Sequence, residues 1–138
     1  VNVAQFSKEY NNIYKCIASD KELRGLLGIK NDLDVPEVII RTQFSPKVIN
    51  GDLVVRVYQT TPRMARNDKT FWDSFEVKVS GAISYREKIV KIMDRIINLL
   101  TNMWVNNRRI EFVTIMGDEF SPTEIHEVGG RFRFINFV

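Results

Sequence analysis

Hydrophobic and polar positions change period several times along this chain, and each change marks an element. Phe6, Tyr10, Ile13, Tyr14 and Ile17 fall at i, i+4, i+7, i+8 and i+11, which predicts an amphipathic helix over about residues 4–18. Ser19 followed by Glu22 has the spacing of a capping box. It predicts a second, short helix through Leu23, Leu26 and Leu27 that stops at Gly28. The stretch VPEVIIRTQF, residues 35–44, is β-branched after Pro36 and predicts a strand, placed at an edge because proline cannot donate to a ladder. Asn50-Gly51 then marks a tight turn. Leu53, Val55 and Val57 alternate with Val54, Arg56 and Tyr58, the period of a strand over residues 53–61.

Residues 62–70, PRMARNDKT, predict an exposed basic loop. Beyond it Phe75, Val77 and Val79 oppose Glu76, Lys78 and Ser80, the alternation of a sheet with one buried face and one wet face. Gly81 ends that strand, and Ser84 with Glu87 suggests a second capping box. The following helix carries Ile89, Ile92, Met93, Ile96, Leu99, Leu100 and Met103 on a wide apolar face that must cover the sheet. A strand over residues 110–116 leads to a predicted final hairpin, EIHEV and RFRFINF, joined by Gly129-Gly130. These elements predict an α+β fold in a single domain spanning residues 1–138. Its sheet is mixed and mainly antiparallel, with an N-terminal helix pair and one long amphipathic helix packed on one face.

Composition narrows the function classes. Twenty Lys and Arg against 17 Asp and Glu give a net charge of +3, short of the dense basic footprint of a dedicated nucleic-acid binder. The single Cys16 cannot form an internal disulfide, and among Ile13, Tyr14 and Ile17 it has the setting of a small buried hydrophobe. No apolar run approaches the ~20 residues that span a bilayer, and no basic segment followed by an apolar block opens the chain, so neither membrane insertion nor secretion is expected.

Catalytic signatures are sparse. His126 is the one histidine, lying between Ile125 and Glu127, with no second His or Cys at a metal-ligand spacing. No G-x-S-x-G elbow surrounds a serine, and no glycine falls in a phosphate-binding loop pattern. Asp118, Glu119, Glu124 and Glu127 cluster in sequence and offer either an acid/base pair or a solvated acidic surface, the simpler reading. No metal, cofactor or enzymatic activity is expected.

Two surface features remain. Arg63, Arg66 and Lys69, with Arg108 and Arg109, read either as phosphate contacts or as ordinary solvated charge. In the last strand Phe132 and Phe134 share one face while Ile135 and Phe137 share the other. One apolar face can pack on the chain's own helix and the second needs a cover, internal or from a neighbouring subunit.

The order of IYKCIASDKELRGLLG, the strands around IIRTQF and LVVRVYQTT, FEVKVSG feeding YREKIVKIMDRIINLL, and the closing RFRFINF resembles the tail-terminator or tail-completion proteins of long-tailed bacteriophages and prophages. Related neck and head-to-tail joining proteins share similar layouts. The resemblance covers nearly the whole chain as hydrophobic spacing and element order, without a diagnostic signature. It implies a homo-oligomeric, hexameric ring on the last ring of the tail tube, stopping polymerisation and docking a head connector or neck protein, with DNA passing through the lumen. It also implies synthesis in the bacterial host cytoplasm and assembly into the virion tail or neck. Candidate interface residues are Arg63, Arg66, Lys69, Arg108, Arg109, Asp118, Glu119, Phe132 and Phe134, with the basic 63–69 loop and the acidic 118–127 run each a candidate to meet a neighbouring subunit, tube or connector. The alternatives are a basic nucleic-acid-binding module and, more remotely, a small enzyme working through His126 and nearby carboxylates.

Overall fold

A computed structural model of the chain describes residues 3–59, 74–120 and 125–136. A six-stranded mixed sheet, mostly antiparallel, carries helices on one face, the α+β arrangement expected from the sequence. Helices α1 (Val3–Ser19) and α2 (Lys21–Leu27) form the N-terminal pair. Short helices α3 (Val35–Val38) and α4 (Pro46–Ile49) flank strand β1 (Ile39–Ile40). Strands β2 (Val54–Gln59) and β3 (Ser74–Ala82) precede the long helix α5 (Arg86–Leu100), and β4 (Trp104–Val105), β5 (Arg108–Phe120) and β6 (Ile125–Asn136) complete the sheet. Its order is β1-β2-β3-β6-β5-β4, with β1 parallel to β2 and every other pair antiparallel.

The face of α5 predicted from its spacing is the buried one: Ile89, Ile92, Met93, Ile96 and Leu100 are all interior. Each buried side chain of this size contributes on the order of 1.5–3 kcal/mol of transfer free energy. They meet Val55 and Val57 of β2, Phe75, Val77 and Val79 of β3, and Phe132 and Phe134 of β6. Phe75 stacks on Phe132 with ring centroids 5.2 Å apart, and Phe112 meets Phe132 edge-on at 5.6 Å.

α1 adds Ile13, Tyr14 and Ile17 to the same core, and two of its tyrosines close a sheet edge. The Tyr14 hydroxyl donates to the Ile39 carbonyl and that of Tyr10 to the Val57 carbonyl, each at 2.6 Å. Both carbonyls lie on the β1–β2 side of the sheet, where a strand end would otherwise leave them without a partner. Burial pushes the Tyr10 hydroxyl up to about 12, against an opposing pull from Arg41.

Several expectations are corrected. Residues 35–44 are not one strand: Val35–Val38 is helical, with Pro36 in its first turn where a missing N–H costs nothing, and only Ile39 and Ile40 join the sheet. Gly51 does turn the chain, at φ 77°, but after α4 rather than within a hairpin. The cap of α2 is Asp20, whose carboxylate accepts from the Leu23 N–H at 3.1 Å, while Ser19 donates back to the Lys15 carbonyl. The Ser84–Glu87 box is absent too, since a 3-10 turn over Ile83–Tyr85 leads into α5 and Tyr85 makes no side-chain cap.

The largest correction concerns Gly129 and Gly130. They do not turn a hairpin but sit in the middle of β6, paired with Lys78 and Val77 on one side and Met116 and Ile115 on the other. A Cβ on Gly130 would lie 2.9 Å from the Met93 Cε and 3.3 Å from the Phe132 ring, and one on Gly129 would lie 3.2 Å from Lys78 Cγ and from Met116 Cε. At both positions a Cβ would have to displace the neighbouring side chains. A tight turn that the sequence did not suggest is Asn106-Asn107, with φ 50° and 62°, which joins β4 to β5.

Two predictions follow from these contacts. Gly130→Val should cost about 1–3 kcal/mol by overpacking against Met93 and Phe132, whereas Gly25→Ala, on exposed α2 with nothing within 4 Å, should gain about 0.5–1 kcal/mol. Urea unfolding measures both, and a Gly130→Val variant as stable as the parent would mean that α5 does not approach β6 this closely. The second concerns Asp20, which accepts two hydrogen bonds from Arg95, at 2.7 and 3.0 Å. Those bonds, with the Leu23 N–H, hold its carboxyl below the usual range despite partial burial. Its folded value being depressed, the contribution is present above the unfolded value near pH ~4 and fades as pH falls through the lower, folded one. Asp20→Asn, which keeps a capping oxygen, should therefore cost roughly 0.5–1 kcal/mol at pH 7. In acid the two unfolding curves should converge.

Candidate functional site

The face of the sheet away from α5 is not the wet surface that alternation suggests. Arg56, Tyr58, Glu76 and Ser80 on it are all buried. Burying charge costs free energy unless the charge is paired, and here rows of cross-strand partners supply the pairing. Arg56 of β2 donates to Glu127 of β6 at 2.7 Å and to the Gln43 carbonyl at 2.6 Å, and Lys78 Nζ stands 3.2 Å from the other Glu127 oxygen. Tyr58 donates to Glu76 at 2.9 Å, and Arg131 donates to the second Glu76 oxygen at 2.8 Å. Burial, then the bond to Glu76, drives the Tyr58 hydroxyl far above the ordinary tyrosine range. Arg133 and Glu111 extend the mosaic to a more exposed pair at 2.8 Å.

A second charge pair lies on the helix side. Arg108, at the start of β5, donates through Nε to Glu9 of α1 at 2.9 Å, and its guanidinium lies 4.2 Å from the Phe134 ring centroid. Both residues are buried. The pair ties the first helix to the fifth strand across 99 positions of sequence.

The residues singled out from sequence therefore separate. Arg63, Arg66 and Lys69 lie outside the described residues, as do Glu124 and Phe137. Arg108 is internal, and Arg109 donates to the Asn102 side chain at 2.7 Å. The structure does not bring the two arginines together as a phosphate-binding pair. Asp118 and Glu119 belong to the distal part of β5, where Glu119 is in register with Glu127. Phe132 and Phe134 are core residues, which removes them from the surface available to a partner. His126 is fully buried in β6, and Glu127 beside it is engaged by Arg56 and Lys78. Among the described residues no group of three His, Cys, Asp or Glu is placed to hold a metal ion. Cys16 is half-buried rather than core, and burial raises its thiol pKa, with Asp20 adding to the shift. No described helix is long and apolar enough to cross a membrane.

Surface that is apolar and open lies elsewhere. Leu33 and Phe44, 88% and 81% exposed, flank β1 at one lateral edge of the sheet. Trp104 of β4 and Val113 and Ile115 of β5 are exposed at the opposite edge. The sequence reading missed all five, because an apolar residue in a strand or turn looks the same whether it faces the core or solvent. No protein-family model matches the chain, and no curated protein matches it either.

The internal pair makes a prediction. Arg108→Met should cost about 3–5 kcal/mol by leaving Glu9 buried and uncompensated, while Glu9→Leu with Arg108→Met should recover most of that loss. Chemical denaturation of the two single variants and the double variant tests it. A single variant costing less than about 1 kcal/mol would mean that water reaches the pair.

Proposed function

We propose that the chain is a structural virion-assembly protein of the tail-terminator kind, a subunit of a ring that caps the tail tube, stops its polymerisation and offers a docking surface to the head connector or neck. The observation that carries this reading is how the described residues divide their polar and apolar chemistry. Glu9 with Arg108, Arg56 and Lys78 with Glu127, and Glu76 with Arg131 are ion-paired inside the subunit. Large apolar side chains stand uncovered at both lateral edges of the sheet. That division suits a protein whose task is contact with other subunits. The nucleic-acid alternative is weakened by the same geometry, since Arg108 is committed internally and Arg109 is held by Asn102.

The sequence resemblance supplies the partner to try. The purified chain is added to growing tubes of the tail-tube protein encoded beside its gene, and tube ends and lengths are followed by negative-stain electron microscopy. Capped ends, six-fold rings and arrested growth are expected. Tubes that elongate at an unchanged rate in saturating protein would exclude the reading, and salt-dependent DNA binding would then be measured.

A further inference from the structure

Asn50 is the one asparagine of the chain that a glycine follows. Such a step is chemically labile, because a residue without a Cβ brings its nitrogen to the preceding side-chain amide unhindered and on a freely rotating backbone. The structure places it at the end of α4, with Asn50 exposed. The helix closes there in a Schellman motif. Gly51 N–H donates to the Val48 carbonyl and Asp52 N–H to the Lys47 carbonyl, each at 3.1 Å, with Gly51 in the left-handed region at φ 77°. From the other side Ala82 N–H donates to the Gly51 carbonyl at 2.9 Å, which ties the turn to the end of β3.

We propose that Asn50 is a site of spontaneous covalent modification, gated by this turn. The Gly51 nitrogen, having lost its proton to hydroxide, attacks Asn50 Cγ. A C–N bond forms, the bond from Cγ to Nδ2 breaks, and the leaving nitrogen takes a proton from water and departs as ammonia. The result is a five-membered succinimide. Water then opens the ring at Cγ to give aspartate, or at the main-chain carbonyl carbon to give isoaspartate. One water is consumed, one ammonia is released, and nothing is oxidised or reduced.

Two features of the folded turn oppose the first step. The Gly51 proton is held by the Val48 carbonyl, out of reach of hydroxide. At Asn50 ψ is −8°, so the Gly51 nitrogen nearly eclipses Asn50's own nitrogen and is turned away from the side chain it must attack. Bringing it round means rotating about the Cα–C bond, which breaks the bonds to Val48 and Lys47 and carries the Gly51 carbonyl off Ala82. Modification therefore records opening of this corner, not exposure of Asn50. It is also one-way. Either product sets a carboxylate beside Asp52 in the chain, on the wall of a groove lined by Ile49, Ile83 and Ile125. Isoaspartate lengthens the main chain as well, so the bond from Asp52 to Lys47 no longer closes in the same register. The chemistry needs no partner and is independent of the cap reading.

To test this, the full chain is incubated in mildly alkaline buffer, folded in one sample and unfolded by guanidinium chloride in another. The fragment carrying Asn50 is followed by mass spectrometry, and isoaspartate is counted by enzymatic methylation. Conversion in denaturant should be faster than in the folded chain by about tenfold or more, since a gated site reacts only during local opening. Hydrogen exchange at Gly51 N–H should be slowed by the same factor to within about threefold, because both reactions wait on the same event. Ala82→Pro, at φ −59° where proline fits, removes the N–H that holds Gly51 and should speed conversion of the folded chain by about threefold or more. The exchange comparison needs no variant and decides alone if Ala82→Pro does not fold. Four results would each overturn the proposal: no conversion in denaturant, folded conversion as fast as unfolded, a Gly51 amide protected far more strongly than Asn50, or a folded Ala82→Pro chain that converts at the parent's rate.

Discussion

How closely α5 can approach the middle of the sheet governs the rest of this structure. β6 is flanked by β3 and β5, and the glycines at 129 and 130 remove side chains from both of its faces at one point. On one face the tip of Met93 occupies the vacancy, and on the other Met116 and the stem of Lys78 do so. With a larger residue at 130 the tip of Met93 would have to shift first, and that shift would press on the aromatic layer of Phe75, Phe112, Phe132 and Phe134 beside it. Interiors packed near crystalline density do not absorb such a change without strain or voids.

The polar side of the sheet follows a different rule. Its charges lie on β2, β3, β5 and β6, up to 77 positions apart, and become neighbours only through strand register: Tyr58 opposite Glu76, Glu76 opposite Arg131, Glu111 opposite Arg133. Breaking one of the buried pairs, Arg56–Glu127 or Glu76–Arg131, leaves a charge with reduced access to water, so these rows hold register as well as neutralise one another.

These two constraints explain what was legible in the sequence. Local periodicity gave the helices well, because Ile89, Ile92, Met93, Ile96 and Leu100 recur within one element and report one burial face. The alternation in β3 also gave the correct core side, Phe75, Val77 and Val79. What failed depended on partners far away. A Gly-Gly pair flanked by alternating residues has the same local form in a hairpin turn and in a strand that must pass under a methionine, and only Met93 distinguishes them. Likewise Arg56, Glu76 and Glu127 look solvated one by one, and the pairing that buries Arg56 and Glu76 needs three strands to be in register. β-branched propensity alone predicts a strand over residues 35–44, whereas Val35–Val38 forms a helical turn. Of the candidate interface residues, Phe132 and Phe134 were misplaced for a related reason: a strand's apolar positions do not announce which face the protein itself will cover.

The pair of Glu9 and Arg108 also has a meaning in time. A chain is made from its N-terminus at a finite rate, so Glu9 leaves the ribosome about 100 residues before the guanidinium that will neutralise it. Until then the first helix has an apolar face that wants burial and, beside it, a carboxylate that still needs water. Docking α1 early would bury that charge without its counterion, at a cost of several kcal/mol. α1 can therefore dock with that charge neutralised only after β5 has been made and put in place.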